Sequence, residues 1–367
     1  MILYWLAGIC FFIHIFTFGI VAVRKYWHPK SSIQDWEQQK VTILRPVSGI
    51  ENNLERTLAS AFELDHPKFE IIFCVAKETD TVIPLVQSLI ERYPGIDARL
   101  LIGNDPISDN PKLNNLIKGW KAAKYDWIVM TDSNVLLPQN YIEQLFARWD
   151  KKTGLVASPP LGTEPENISA DLEAAFLNSY QARWQLTSDT IGNGFAQGKT
   201  LFWHRDVLEK GGGIEALACE LAEDAAATKV VRSQGLKVHL STLPFPQPLG
   251  LKTWEPVWNR QKRWAKLRRD SFPFFFYLEI LSGSIFPLLC LVIAALIGVV
   301  SIWAIIVFFI IWYGVEFFVT GFVGWPISLR QMAAILMRDV LLPVLWFTAF
   351  GKGGYQWQGH KVDIGKK

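Results

Sequence analysis

The sequence predicts an α/β domain that is carried by transmembrane helices at both ends of the chain. Three observations support this fold class. Apolar residues concentrate towards the two ends, and the mean hydropathy of the 367 residues is +0.18. Between residues 41 and 270, short apolar runs alternate with helix-like stretches, which is typical of a sheet with helical connections. The composition of this middle region is that of an ordinary globular domain.

Composition and charge exclude several classes of protein. A net charge of +3 gives no electrostatic support for binding nucleic acid. The four cysteines, Cys10, Cys74, Cys219 and Cys290, form no close pair in the sequence. This spacing argues against a disulfide framework or a zinc site, and it fits a reducing compartment.

The first membrane segment is predicted at residues 2–23, an apolar run of roughly the 20 residues that a bilayer crossing needs. No small-residue cleavage pattern follows it, so a cleaved signal peptide is not expected. Arg24, Lys25 and Lys30 come next. By the positive-inside rule, the N-terminus lies outside and the chain then enters the cytosol.

Two or three further membrane helices are predicted near the C-terminus. Residues 274–300 and 303–323 are clear candidates. Residues 331–350 carry the neighbouring charges Arg338 and Asp339, which are costly in lipid, so a re-entrant or interfacial segment is expected there. The basic tail favours a cytosolic end, whereas three full crossings would place the tail outside, and the sequence leaves both arrangements open.

The predicted domain organisation has five parts. They are an N-terminal anchor at 1–24, a linker at 25–40, the α/β domain with a juxtamembrane helix at 41–270, C-terminal membrane helices at 271–350 and a cytosolic tail at 351–367. The compact chain without retrieval signals favours a bacterial inner membrane over a eukaryotic endomembrane.

Strands and helices alternate in the middle region. Strands are predicted at 41–47, 69–76, 98–102, 127–131, 200–203 and 237–241, and helices at 52–62, 82–92, 112–123, 168–186, 223–234 and 255–269. Strands joined by helical crossovers form mostly parallel sheets, and ligands of such sheets bind beyond the carboxyl ends of the strands. This rule points to residues 45–49, 77–80 and 132–134.

Four acidic residues are candidates for chemistry. Asp132 follows an apolar strand and is a candidate oxygen ligand of Mg²⁺ or Mn²⁺, although a helix or turn cap explains it equally well. Asp80 is a candidate for contacting a nucleoside, or alternatively an N-cap. Glu223 and Asp224 open a helix, where a carboxylate serves as a general base or simply complements the helix dipole.

A basic and aromatic helix precedes the C-terminal membrane block. Arg260 and Arg263 are three residues apart and therefore share one face of this helix. They are candidates for clamping a diphosphate, with Trp264 beside them at the interface or against an acceptor. The alternative is a basic helix that is attracted to anionic lipid.

The order of these motifs resembles the D, D, D, (Q/R)xxRW pattern of family 2-like glycosyltransferases. Within that group, the chain looks like the ceramide glucosyltransferases of family 21. The similarity extends over nearly the whole chain, and its most specific segment is Asn110-Pro-Lys-Leu-Asn-Asn-Leu116. Further similar segments are Arg45-Pro-Val-Ser-Gly49, Ala122-Ala-Lys-Tyr-Asp126 and Ala222-Glu-Asp224.

The resemblance implies a GT-A fold and an inverting transfer of glucose from UDP-glucose to the primary hydroxyl of a ceramide-like lipid. It implies that Asp224 is the base, that Asp80 contacts the nucleoside and that Asp132 lies near the diphosphate or its Mg²⁺ or Mn²⁺ ion. Lys112 is an expected phosphate contact, or alternatively a solvated residue at a helix start. The expected partners are a UDP-sugar, a membrane lipid and the bilayer, with no nucleic acid.

The sequence departs from the family pattern in two places. Ser133 and Asn134 replace a second carboxylate after Asp132, which leaves a metal fewer charged ligands, and the tail at 357–361 matches only partly.

Rival functions are transfer of N-acetylglucosamine or a uronic acid, and a hopanoid or diacylglycerol acceptor. A processive polysaccharide synthase and a non-catalytic membrane scaffold are lower alternatives.

Overall fold

The computed structural model describes residues 1–351, 355–357 and 360–362, the last two segments by their backbone alone. The chain divides into two compact units. We call Met1–Tyr26, Gly162–Thr187 and Gly250–Lys367 the membrane unit, and Trp27–Leu161 with Ser188–Leu249 the sheet unit.

Eleven strands are found in the described residues. They are β1 (Val41–Val47), β2 (Phe69–Val75), β3 (Asp97–Ile102), β4 (Trp127–Thr131), β5 (Thr153–Ala157), β6 (Pro160–Pro165), β7 (Thr200–His204), β8 (Lys237–Leu240), β9 (Phe245–Gly250), β10 (Tyr355–Trp357) and β11 (His360–Val362). Seven of them form one sheet in the order β3-β2-β1-β4-β7-β5-β8. Strand β7 runs antiparallel to β4 and β5, and all other neighbours in this sheet are parallel.

Fourteen α-helices lie in the same described residues. They are α1 (Ile2–Arg24), α2 (Leu54–Ala59), α3 (Ile83–Arg92), α4 (Pro111–Ala122), α5 (Tyr141–Phe146), α6 (Ile168–Ala175), α7 (Arg183–Thr190), α8 (Arg205–Lys210), α9 (Glu223–Ser233), α10 (Trp254–Ser271), α11 (Pro273–Leu278), α12 (Ile285–Leu296), α13 (Ile302–Phe322) and α14 (Leu329–Thr348). A π-helical stretch, Phe176–Ala182, joins α6 to α7. The predicted strands and helices of the middle region are confirmed to within a few residues, whereas α5, α8, β5, β6 and β9 were not predicted.

The sheet unit is packed closely where α4 crosses the sheet. Every residue of β1 is buried, as expected for a central strand that is covered on both faces. Gly119 of α4 lies against β2, and a Cβ atom at this position would come within 2.6 Å of the Cys74 Sγ atom. A side chain at position 119 would therefore push α4, and the functional residues at its N-terminus, away from the sheet.

The membrane unit is built around α1, which packs against α12 and α13. Its buried residues, among them Cys10, His14 and Val21, recur at helical spacing along one face. Only one polar ring lies on this face, and the His14 Nε2 atom is 2.9 Å from the Trp312 carbonyl oxygen. Phe12 on another face of α1, and Ile310 and Phe318 on α13, are apolar and exposed, as expected for lipid-facing side chains.

Within the part of the chain that the structure describes, three helices are long and apolar enough to cross a membrane, namely α1, α13 and α14. The membrane helix predicted at 274–300 is not continuous, because Pro273–Leu281 and Ile285–Leu296 are bent by 47° at a break between them, as in a broken span or a re-entrant loop. The break contains Ser282, Gly283 and Ser284 and follows Glu279, whose carboxylate binds Arg268 at 2.6 and 2.9 Å. Small residues, and a charged residue that pairs with another helix, favour a break in the apolar helix at this point.

The segment around Arg338, which was predicted to be re-entrant or interfacial, is a continuous helix of 20 residues, so a re-entrant loop is wrong. Arg338 and Asp339 are buried in the protein, and Arg338 donates hydrogen bonds to Glu316, Asp339 and the Ser179 hydroxyl at 2.7, 2.7 and 2.6 Å. A charge at membrane depth is tolerated when it faces a protein partner rather than lipid. Neighbouring helices thus satisfy the pair that favoured a re-entrant prediction.

The region predicted as one domain at 41–270 is shared between the two units. Gly162–Thr187 and the chain from Gly250 group with the membrane helices. The physical reason is an apolar core inside the membrane unit, where Leu172 and Phe176 pack with Ala334 and Ile335 of α14. Helix α6 therefore belongs to the unit in which its buried face finds apolar partners.

Candidate active site

The candidate site lies at the edge of the sheet where the parallel strands β1, β2 and β4 end. Antiparallel β7 begins at this same edge, because Thr200 pairs with Thr131, the last residue of β4. This edge is where open α/β sheets bind ligands. The sheet unit brings together Asp132, Lys112 and Asp224, and Asp80 follows β2 at the same edge.

Asp80 binds the loop that follows β1. Its carboxylate accepts hydrogen bonds from the Gly49 N–H at 2.9 and 3.2 Å and from the Val82 N–H at 3.0 Å. Gly49 has a φ of +65°, a conformation that favours glycine. Asp80 thus caps the chain ahead of α3 and fixes two strand-end loops to each other. Its role towards a nucleoside stays a prediction.

Arg45 fixes the loop that carries Asp132. The fully buried guanidinium donates hydrogen bonds to the carbonyl oxygens of Asp132, Ser133 and Val135 at 3.0, 3.1 and 2.9 Å. Burial lowers the pKa of Arg45 to about 10, so the side chain is still charged at neutral pH. Arg45 of the Arg-Pro-Val-Ser-Gly segment therefore positions the loop that carries Asp132.

Two lysines bracket the Asp132 carboxylate. Lys112 Nζ lies 2.7 Å from Oδ1, and Lys199 Nζ lies 3.0 Å from Oδ2. Burial opposes the ionisation of Asp132, but the two ammonium groups lower its pKa below the ordinary value. Asp132 is therefore a carboxylate at physiological pH, and the alternative interpretation of it as a helix cap finds no support in these side-chain contacts.

Helix α4 delivers Lys112 through its N-terminal residues. Asn110 caps the helix, and its side-chain oxygen accepts hydrogen bonds from the N–H groups of Lys112 and Leu113 at 2.9 and 3.1 Å. Pro111 occupies the first helical position, where no N–H is required. The Asn-Pro-Lys order is thus a helix start that places Lys112 at the sheet edge, which argues against a merely solvated lysine.

Glu223 completes the cluster from the side of α9. One carboxylate oxygen lies 2.6 Å from Lys112 Nζ, and the other accepts a hydrogen bond from Asn110 Nδ2 at 2.7 Å. The Glu223 side chain is only 7% exposed. Of the two neighbouring acidic residues at the start of α9, Glu223 is therefore occupied in holding Lys112.

Asp224 is the carboxylate with the strongest features of a base. It is half-buried and accepts hydrogen bonds from the N–H groups of Gly198 and Ala225, both at 2.8 Å. Burial, and then the negative charge of Glu223, raise the pKa of Asp224 to about 6. A carboxylate in this range takes protons more readily than an ordinary aspartate and is still mostly ionised at pH 7.

The predicted metal ligand does not have the surroundings of a metal site. Both Asp132 oxygens and both Glu223 oxygens already accept cationic or amide donors, and the Asn134 Oδ1 atom accepts a hydrogen bond from Lys199 at 2.9 Å. Among the described residues, no group of three or more histidine, cysteine, aspartate or glutamate side chains is arranged to hold a metal. These residues do not fit a Mg²⁺ or Mn²⁺ ion as they stand.

The predicted diphosphate clamp lies on α10 in the membrane unit. Arg260 forms an ion pair with the buried carboxylate of Glu173 within that unit. Arg263 and Trp264, one turn further on, are half-buried. The positions of these three residues on one helix before the membrane segments are as predicted, and their contact with a substrate stays a prediction.

Two residues of the site escaped the sequence prediction, namely Gly198 and Lys199. Gly198 accepts a hydrogen bond from Lys112 Nζ at 2.5 Å, and a Cβ atom here would lie 2.8 Å from the Glu223 carboxylate. Both residues precede β7, which was predicted as a strand without a direction. An antiparallel strand brings its first residues to the edge where parallel strands end, so the strand direction was the missing information.

Comparison with curated proteins finds relatives that are named ceramide glucosyltransferases. Ceramide glucosyltransferase 1 from Caenorhabditis elegans is 30% identical over 65% of this chain and 52% of its own length. Ceramide glucosyltransferase 3 from the same organism is 24% identical over 98% of this chain and 80% of its own length. The chain thus spans about half the length of the first of these curated relatives.

A solved structure shows the same fold. The mannosyltransferase from Pyrobaculum calidifontis in complex with GDP-Man and Mn²⁺ has a TM-score of 0.54, with 15% identity over 92% of this chain and 99% of its own. The predicted GT-A-like fold is confirmed. The family profile described as Glycosyl transferase family 21 matches residues 7–367, which include the cluster around Asp132 and Asp224. With this match over almost its whole length, the chain belongs to glycosyltransferase family 21.

Proposed function

We propose that this protein transfers glucose from UDP-glucose to the primary hydroxyl of ceramide and gives β-glucosylceramide. Family membership and the names of the relatives support a glycosyl transfer to ceramide. The single observation that carries the proposal is Asp224, a carboxylate of raised pKa beside the Lys112–Asp132 cluster. A base next to a phosphate-binding cation is what transfer from a nucleoside diphosphate sugar requires.

The proposed reaction is a single displacement. Asp224 accepts the proton of the ceramide hydroxyl as its oxygen bonds to C1 of glucose. The bond between C1 and the UDP oxygen breaks on the opposite face, and the bonding electrons leave with UDP. Attack from the opposite face inverts C1 and gives the β-linkage. Lys112 stabilises the negative charge that develops on the leaving diphosphate.

Other predicted contacts form part of the proposal. Asp80 is assigned to the nucleoside, Arg260 and Arg263 to the leaving diphosphate and Trp264 to the acceptor side. Ceramide cannot leave the bilayer, whereas UDP-glucose is soluble, so an enzyme with membrane helices suits this pair of substrates. The predicted cytosolic orientation rests on Arg24, Lys25 and Lys30 and is kept as part of the proposal.

The product assay tests the proposal directly. The full chain in detergent is incubated with ceramide and separately with UDP-glucose, UDP-N-acetylglucosamine and UDP-glucuronic acid, and products are read by mass and linkage. We expect a single β-glucosylceramide from UDP-glucose. A product with another sugar, with diacylglycerol in place of ceramide, or with an α-linkage would contradict the proposal, and so would polymer formation or no turnover by folded protein.

The raised pKa of Asp224 predicts a pH dependence. Asp224 acts as a base only when ionised, and with a pKa of about 6 its ionised fraction falls about tenfold per pH unit below that value. We therefore expect kcat/KM for the acceptor to be nearly constant from pH 7 to 8 and to fall steeply below about pH 6. A profile that is flat down to pH 5, with protein shown to remain folded, would exclude Asp224 as the base.

A further inference from the structure

The Asp132 cluster has a feature that the proposed function does not explain. The carboxylate at the end of β4 holds two ammonium groups, Lys112 and Lys199, at 2.7 and 3.0 Å. Their side chains are 14% and 11% exposed, so both charges are largely withdrawn from water. Bringing two buried cations to one carboxylate is unfavourable unless further groups compensate them.

The compensation is built into the surrounding residues. Lys112 is held by Glu223 at 2.6 Å and by the Gly198 carbonyl oxygen at 2.5 Å, and Lys199 donates to Asn134 Oδ1 at 2.9 Å. The Lys199 carbonyl oxygen accepts a hydrogen bond from the Asp132 N–H at 3.1 Å, which fixes the two residues to each other through the backbone as well. These contacts therefore fix the positions of the two ammonium groups before a ligand binds.

The same contacts oppose a divalent cation. Mg²⁺ and Mn²⁺ bind through oxygen ligands, and the oxygens of Asp132 and Asn134 already accept hydrogen bonds from ammonium groups. A metal on Asp132 would lie beside Lys112 and Lys199 and would be repelled by both. Two ammonium groups carry the same formal charge as one divalent ion, and the donor diphosphate would bind them by replacing part of their contacts to Asp132, Glu223 and Asn134.

We propose that Lys199, together with Lys112, binds the donor diphosphate in place of a divalent metal ion, with Asp132 and Asn134 as the anchor of the two ammonium groups. The inference rests on the proposed function for the nature of the donor, a nucleoside diphosphate sugar. It adds a binding residue, Lys199, to the site, and it assigns to Asp132 the positioning of cations rather than the ligation of a metal.

Nucleotide binding to the full chain in detergent tests this inference. UDP is titrated calorimetrically, first with a chelator and then with Mn²⁺. We expect the wild-type Kd for UDP to change less than threefold between the two conditions. We expect Lys199→Ala to raise the Kd at least tenfold in chelator, and Lys199→Arg, which keeps the positive charge, to stay within about fivefold of wild type.

Lys121→Ala is the matched control. Lys121 lies on α4 like Lys112, but its side chain is 61% exposed and its ion pair with Asp105 is long, at 3.8 Å. It should bind UDP as wild type does, and melting temperatures verify that each variant is folded. A wild-type protein that needs Mn²⁺ for binding, a Lys199→Ala variant that binds normally in chelator, or the absence of UDP binding in both conditions would overturn the inference. Transfer of a different sugar would overturn the proposed function alone.

Discussion

Replacing Asp224 by asparagine is expected to lower the rate of transfer by about 10²–10⁴-fold, the usual contribution of a general base. Asparagine keeps the shape of the side chain, but it cannot take a proton, and its single oxygen can accept from only one of the N–H groups of Gly198 and Ala225, which bond to different oxygens of Asp224. Because Lys112 and Lys199 are untouched, the Kd for UDP should stay within about threefold of wild type.

The same substitution should not destabilise the protein at neutral pH. The pKa of Asp224 is raised on folding, so the stability that this group contributes is present below its unfolded value and is lost as the pH rises through about 6. At pH 7.5 the buried carboxylate therefore costs stability, but asparagine also loses the acceptor of one backbone N–H group, so the two effects oppose each other and Asp224→Asn should melt close to the wild-type temperature. A melting curve of purified protein gives this value alongside the rate.

Asp206→Asn is the control for Asp224→Asn, since it makes the same chemical change at a residue of α8 whose side chain is 64% exposed. This variant should keep wild-type activity. If Asp224→Asn retains more than about a tenth of the wild-type rate, another group accepts the proton and the assignment of the base is wrong.

The second large effect is expected in the membrane unit, where Arg338→Met should strongly destabilise the protein. Arg338 is 2% exposed, and its guanidinium binds both Glu316, at 2.7 and 3.2 Å, and Asp339. Methionine fills similar space without charge, so two buried carboxylates would lose their cation. Removing one partner of a buried ion pair typically costs about 3–5 kcal/mol.

Thermal melting in detergent measures this effect, and Arg92→Met is the matched control. Arg92 pairs with Glu55 at 3.0 Å, but the two side chains are 53% and 56% exposed, and exposed pairs contribute about 0–1 kcal/mol. We expect a melting temperature well below wild type for Arg338→Met and almost no change for Arg92→Met. If both variants melt at the wild-type temperature, the contacts of Arg338 do not hold α13 and α14 together.

The sequence alone predicted much of the local structure. The β1, β2 and β4 strands and the α4 and α9 helices follow from hydrophobic spacing and helix-start residues, which act over a few positions. The Asn-Pro-Lys segment is a clear case, because the Asn110 cap and Pro111 define the start of α4 locally. The edge of the sheet that carries Asp132 followed from the rule for parallel strands.

Contacts between distant parts of the chain decided the rest. Lys199 reaches Asp132 only because β7 is antiparallel to β4, and no local pattern around Lys199 encodes that direction. Arg338 and Asp339 were expected to interrupt a membrane crossing, yet Glu316 and Ser179 satisfy them within a continuous helix. Periodicity and caps are short-range properties, whereas the partner of a buried charge depends on which segments the fold brings together, so only the tertiary structure shows it.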